Sequence, residues 1–182
     1  ERRTTASRLT QLEQDEKSLA ALIAELEARR REAAARAAGA EATTLTRSDA
    51  GTLAWPVEGR LIYPFGRQTQ PNGTVLRWNG IGIAAAEGTS VRSVEAGTVV
   101  LAGPFEGYGP TVVLSHGGGY YSLYLYLSEV AVREGEAIGR GQVLGSVGGA
   151  RTPEGAHIEF QIRSPGGEAV DPLGWLRRRT PA

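Results

Sequence analysis

The stretch Gly155-Ala156-His157-Ile158-Glu159-Phe160-Gln161-Ile162-Arg163 is the part of the chain richest in chemistry. Ala156, Ile158, Phe160 and Ile162 alternate with His157, Glu159, Gln161 and Arg163, the period of two of a half-buried strand. An imidazole and a carboxylate two residues apart then share one polar face, and such pairs build metal sites where both members ligate. A zinc hydrolase needs three protein ligands and an open position for water, whose pKa the ion lowers towards ~7. The other histidine, His116, precedes Gly117-Gly118-Gly119 at what reads as a hairpin turn, a structural setting. His157 itself is expected to hydrogen-bond Glu159 or Tyr126. With two histidines, neither in a nucleophile context, no Ser–His–Asp arrangement is supported. The absence of cysteine removes disulfides, a thiol nucleophile and thiolate metal sites together.

The elements that must position these residues change character along the chain. Up to about residue 42 the sequence is rich in Ala, Glu, Arg and Leu and has no proline. Leu9, Leu12, Leu19, Ile23, Leu26, Ala33, Ala37 and Ala40 fall on alternating three- and four-residue steps, with Glu16 and Arg30 as polar interruptions. This predicts a helix about 55 Å long. It is read either as half of a coiled-coil hairpin or stalk, or as one amphipathic helix lying along its own domain. Residues 43–54 are polar and turn-rich and are expected to be a linker. From there short β-like runs occur at 60–63, 81–84, 91–94, 98–102, 111–115, 120–127, 142–147 and 157–163, separated by Gly, Pro and Asn clusters. The expected architecture is therefore mainly β, an antiparallel sheet or barrel over residues 55–182, preceded by a coiled-coil helix over 1–42. Residues 87–103 are weakly echoed by 134–148, as if two related hairpin units were present. Residues 171–176 are expected to close the domain in a helical turn with Trp175 capping the core, and Arg177-Arg178-Arg179 to be solvated.

Twenty basic and twenty acidic residues leave a formal net charge of zero, which gives no electrostatic footprint for nucleic acid. No apolar run is long enough to span a bilayer and no leader resembles a signal peptide. The helical pattern starts with the first residues, so further sequence is expected before Glu1.

From Trp55 to Leu176 the chain resembles the lysostaphin-like, LytM-type zinc endopeptidases that cut peptide cross-links in peptidoglycan. The matching stretches are Gly80-Ile81-Gly82-Ile83-Ala84-Ala85, Glu87-Gly88-Thr89, Gly97-Thr98-Val99-Val100, Ser115-His116-Gly117, Tyr120 to Leu127, the 157–163 run and Asp171-Pro172-Leu173. The resemblance implies the family's fold, a duplicated hybrid β motif. It also implies where a zinc site would be. The first ligand position falls on Trp78, the second on Gly82 and the third on Glu159, while the two proton-handling histidines fall on Tyr126 and His157. An indole has no lone pair for a metal and glycine has no side chain. The resemblance thus implies a degenerate peptidase lacking all three zinc ligands, with neither metal nor cofactor and no activity of its own.

A groove that held a peptide substrate would be kept, floored by Trp78, Tyr126, His157 and Glu159 and walled by Tyr63, Phe65, Arg67 and Tyr108. Helix, linker and degenerate domain in that order resemble the EnvC-type murein hydrolase activators. That resemblance implies an extracytoplasmic protein that binds and activates N-acetylmuramoyl-L-alanine amidases during cell division. Its coiled coil would couple to an FtsE–FtsX-like membrane complex, and a segment outside the domain would occlude the groove. The alanine-rich end of the helix and Leu45 are the expected blocking segments. The alternatives are a scaffold that holds peptidoglycan without activating an amidase and, less favoured, a residual metallo-endopeptidase.

Overall fold

Alternating short runs punctuated by turn residues fold here as strands that close on one another antiparallel. The computed structural model describes residues 2–36 and 43–179. Helix α1 (Arg2–Arg36) precedes β1 (Arg60–Tyr63), β2 (Gly66–Thr69), β3 (Val75–Trp78), β4 (Ile81–Ala84), β5 (Ser90–Arg92), β6 (Gly97–Pro104) and β7 (Pro110–Ser115). There follow β8 (Tyr121–Leu125), β9 (Leu127–Val130), β10 (Ala137–Ile138), β11 (Val143–Val147), β12 (His157–Arg163) and β13 (Ala169–Val170). The main sheet runs β1-β4-β12-β8-β7-β6-β10, with β13 added to β12. A three-stranded sheet, β5-β11-β9, packs over one of its faces, and β2 and β3 form a separate hairpin. The sequence echo reappears as pairing: β5 is joined to β11 and β6 to β10, one strand from each unit in every pair.

Strand alternation sends side chains to two different cores. Ile158, Phe160 and Ile162 of β12 join Tyr124, Val112 and Leu114 in a core shared with Val91, Leu144 and Val147 of the small sheet. Tyr121, Leu123 and Leu125 of β8 and Val113 of β7 point the other way, into a second cluster with Leu19 and Ile23 of α1. The main sheet is therefore covered on both faces. Every residue of β12 is buried, the polar ones included, where the alternation had predicted one wet face. The physical reason is α1, which lies over the face carrying His157, Glu159, Gln161 and Arg163.

Among the described residues the helical seam packs on the domain. Leu19 and Ile23 are fully buried, and Leu9, Leu12, Leu22 and Leu26 are half-buried on the same side. Ala33 is exposed, and Ala37 and Ala40 lie outside the described residues. Of the two readings of the helix, the one along its own domain is the arrangement found. The expected linker is likewise docked. Leu45 and Leu53 sit in the main core with no exposed surface, Thr44 donates its N–H to the His116 carbonyl (2.8 Å), and Leu53 pairs with Leu176. A polar stretch with two leucines spaced to enter a core is no longer free to move. Trp175 caps the core against Tyr120 as expected (ring centroids 5.7 Å apart). Arg179 is not merely solvated: its guanidinium stacks 3.6 Å from the Trp55 ring and donates to the carbonyls of Gly59 and Val57.

Candidate functional site

β12 and β4 pair in a register that sets Glu159 opposite Gly82 and His157 opposite Ala84. Trp78 enters from the end of β3 and stacks on Tyr63 of β1, ring centroids 3.9 Å apart and planes 15° from parallel. The Tyr63 hydroxyl meets His157 Nε2 at 3.1 Å, and His157 Nδ1 meets the Gly155 carbonyl at 2.7 Å. The expected partner Glu159 is thus replaced by Tyr63, while Tyr126 contributes its ring face, 5.0 Å between centroids. Tyr126 lies between β8 and β9 with φ +62°, a left-handed conformation unusual for an aromatic residue. Its backbone is fixed at both ends, N–H to the Tyr108 carbonyl (3.1 Å) and carbonyl to the Gly148 N–H (2.9 Å). That turn places its ring between Tyr108 and His157. The five positions singled out in the sequence therefore converge on one place.

This residue set does not fit zinc, the ion that the family implies. Both His157 nitrogens are engaged, and burial lowers its pKa and favours the neutral ring. A side chain at Gly82 has no room, because a Cβ there would stand 2.4 Å from the Tyr63 ring. Trp78 offers an indole whose N–H is turned towards Gln68 (3.3 Å). Glu159 is pushed up to about 8, first by burial and then by the charge of Glu16, so it is mostly protonated at neutral pH. Among the described residues no three His, Cys, Asp or Glu side chains are grouped as a metal would need.

The geometry is instead built around a residue of α1. Glu16, a polar interruption of the apolar seam, reaches into the site. Its carboxylate accepts from the Tyr108 hydroxyl (2.9 Å), the Asn79 amide (2.5 Å) and the Gln161 amide (3.5 Å). Arg163 stands 3.8 Å from it, and its side chain is only 5% exposed. Arg163 also holds the Gln161 carbonyl oxygen (2.7 and 3.2 Å), which turns the Gln161 amide towards both Glu159 (2.9 Å) and Glu16. Arg8 of α1 pairs with Glu154 beside the His157 end. A cleft of about 800 Å³ remains between α1 and the β2–β3 hairpin. Arg67, Trp78, Tyr108 and Glu159 line it, joined by Leu9, Leu12, Glu16, Arg77 and Asn79. Tyr63, Tyr126 and His157 stand behind these, and Phe65 packs against the main core. Of the alanine-rich end of the helix, residues 33–36 lie exposed and the rest falls outside the described residues; Leu45 is in the core, and among the described residues the segment over the groove is residues 8–23.

Sequence reasoning missed Glu16, Asn79, Gln161 and Arg163 as site residues. The signals were present in part: Glu16 breaks the seam, and Gln161 and Arg163 share the polar phase of β12 with His157 and Glu159. His116 is structural as expected, buried between the Ala96 carbonyl and the Ser122 hydroxyl (2.7 Å each).

A main sheet clasped by a small one, with this cluster at β3, β4, β8 and β12, is the setting of a peptidase domain, and residues 76–172 match Peptidase family M23. The chain belongs to that family. It is similar to the murein hydrolase activator EnvC of Escherichia coli, 40% identical over 131 residues that make up 70% of this chain and 30% of EnvC. It is also similar to the murein hydrolase activator NlpD of the same organism, 32% identical over 74% of this chain and 34% of NlpD. The chain thus spans about a third of the length of these curated relatives. Among solved structures, a Pseudomonas aeruginosa protein described as a peptidase of family M23 superposes with a TM-score of 0.60 at 29% identity, covering 88% of this chain and 63% of that one. Among the described residues no helix is long and apolar enough to cross a membrane.

Proposed function

We propose that this chain is a non-catalytic regulator of cell-wall hydrolysis in the cell envelope. It binds an N-acetylmuramoyl-L-alanine amidase in the groove at Trp78, Tyr108, Glu159 and Arg163, activates it, and is held off by α1 until that helix is drawn away. Trp78, Gly82, Tyr126, His157 and Glu159 are read as the altered remains of a zinc site. The observation that carries this reading is the seating of α1. The helix covers the face on which family M23 would work, with Leu19 and Ile23 in an apolar seat and Glu16 among polar donors. A zinc site that cannot ligate, covered by a tethered helix, suits recognition better than hydrolysis. The names of EnvC and NlpD support the same direction.

A tethered helix has an effective concentration of order mM, so modest contacts keep the groove closed. Shifting such a latch from almost closed to almost open takes about 5.5 kcal/mol of preference for the open state. A membrane complex of the FtsE–FtsX kind, pulling on sequence upstream of α1, is the proposed source. The test is dye release from labelled sacculi by purified amidase. Addition of the chain with α1 loosened is expected to raise the rate, and the chain alone to release nothing. Pelleting with sacculi without stimulating any amidase would return the scaffold reading. Lysis by the chain alone, abolished by a chelator, would return the peptidase.

A further inference from the structure

We propose that Asn79, Tyr108, Gln161 and Arg163 form a receptor for a single carboxylate, which α1 fills with Glu16 and which the activated partner fills with an acidic side chain on a helix of its own. This rests on the reading of the groove as the partner's docking site, and it specifies the chemistry of what docks there. The four groups come from three separate elements, the β3–β4 turn, the short turn after β6, and β12, yet all are directed at the Glu16 carboxylate. Two are deeply buried: Gln161 has no exposed surface and the Arg163 side chain is 5% exposed. Gln161 also donates to Glu159 (2.9 Å), and Arg163 to the Gln161 oxygen and the Gly167 carbonyl (3.3 Å), so what Glu16 alone brings to the buried guanidinium is a neighbouring carboxylate. A helix that displaces α1 therefore restores what Arg163, Asn79 and Tyr108 lose with Glu16 only if it brings a carboxylate to the same point. Glu159, mostly uncharged, does not cancel the Arg163 guanidinium.

α1 also records the rest of the pattern. Around Glu16, Leu12 and Leu9 lie one and two turns before it, and Leu19 and Ile23 one and two turns after it, all on the domain side. The cleft rim carries Arg67 and Arg77, exposed and opposite one another across the β2–β3 hairpin, which adds attraction for an acidic helix. The expected partner segment is thus a helix with one central acid flanked by leucine-like residues at those spacings.

The test uses the full chain carrying Leu19→Ala and Ile23→Ala, which empties the apolar seat of α1 and leaves the four donors intact. A background with Glu16→Ala, a change confined to the cleft side of α1, repeats it should the first variant fold poorly. The probes are a fluorescent synthetic peptide copying residues 5–26 and the same peptide with Glu16→Gln. The acidic peptide is expected to bind on the order of tenfold tighter, the size of one charge-assisted contact. Arg163→Met should erase the difference, and added salt should shrink it. Equal binding of the two peptides, or binding of neither in both backgrounds, overturns the receptor. Displacement of the acidic probe by an acidic cell-wall stem peptide, with the same dependence on Arg163, overturns the assignment of a protein helix as occupant. Amidase stimulation is measured in parallel to separate the two claims. Peptide discrimination without stimulation sinks the proposed function and keeps the receptor. Stimulation without discrimination sinks the receptor alone.

Discussion

Glu159 has two forces set against its charge, burial in β12 and the neighbouring Glu16 carboxylate, and together they push its pKa up to about 8 from 4.5. The folded state therefore holds a proton that the unfolded chain releases near 4.5. Stability contributed by this group is complete below that point and falls as pH rises towards about 8. Glu159→Gln keeps an acceptor for Gln161 but has nothing to titrate. It is expected to flatten the decline and to stabilise the chain at pH 8 by on the order of 3 kcal/mol, while changing little at pH 4.5. Urea midpoints across that range measure it, and parallel curves for the two proteins would refute it. Trp78 is also part of the fold: it is 7% exposed and stacked on Tyr63, so Trp78→Ala should cost about 3 kcal/mol as well as a docking surface. Trp78→Phe, which retains the stack, is the better probe of binding, with stability followed by thermal unfolding.

At the scale of elements, α1 is held by unlike anchors, apolar and polar, besides the Arg8–Glu154 pair near its start. Leu19 and Ile23 rest on Tyr108, Val113, Tyr121, Leu123 and Leu125, and Glu16 rests on donors of β12 and the loops beside it. The large core between the two sheets does not include α1. Leu19→Ala, which removes about 2–5 kcal/mol of packing, should therefore loosen the helix without melting the sheets. Hydrogen exchange is expected to speed up across residues 8–30 while β4, β8 and β12 stay protected. Uniform loss of protection in helix and strands together would show that α1 belongs to the global fold and is no latch.

For the whole molecule, the position of Leu45 decides how much of the N-terminal segment can be removed without disturbing the main core. Removal of residues 1–42 is expected to raise amidase stimulation several-fold, because the groove then has no tethered competitor. Removal of residues 1–50 should instead lower the melting temperature, since Leu45 lies fully buried in the main core and Thr44 pairs with His116. Scanning calorimetry of the two truncations distinguishes the cases. Equal thermal stability would mean that the segment is the flexible tether its composition had indicated.

Much was legible in the chain itself. The strands at 60–63 and 81–84 fall where short β-like runs between turn residues placed them, and the one at 157–163 where its period-two alternation did. The residue types at Trp78, Gly82 and Glu159, an indole, a glycine and an acid, were legible too. The β2–β3 hairpin was not, for β2 has no apolar residue and β3 sets Val75 and Leu76 side by side, so its alternating exposure has no polar–apolar counterpart in the sequence. Nor could spacing tell whether the α1 seam awaited a second helix or the molecule's own sheet, because both present an apolar stripe at the same period. Only the tertiary fold chose between them, by bringing β8 and β12 side by side so that one helix meets leucines on one strand and buried polar donors on the next. Glu16 looked like a flaw in the seam along one dimension; in three, it is the anion that Asn79, Tyr108, Gln161 and Arg163 surround.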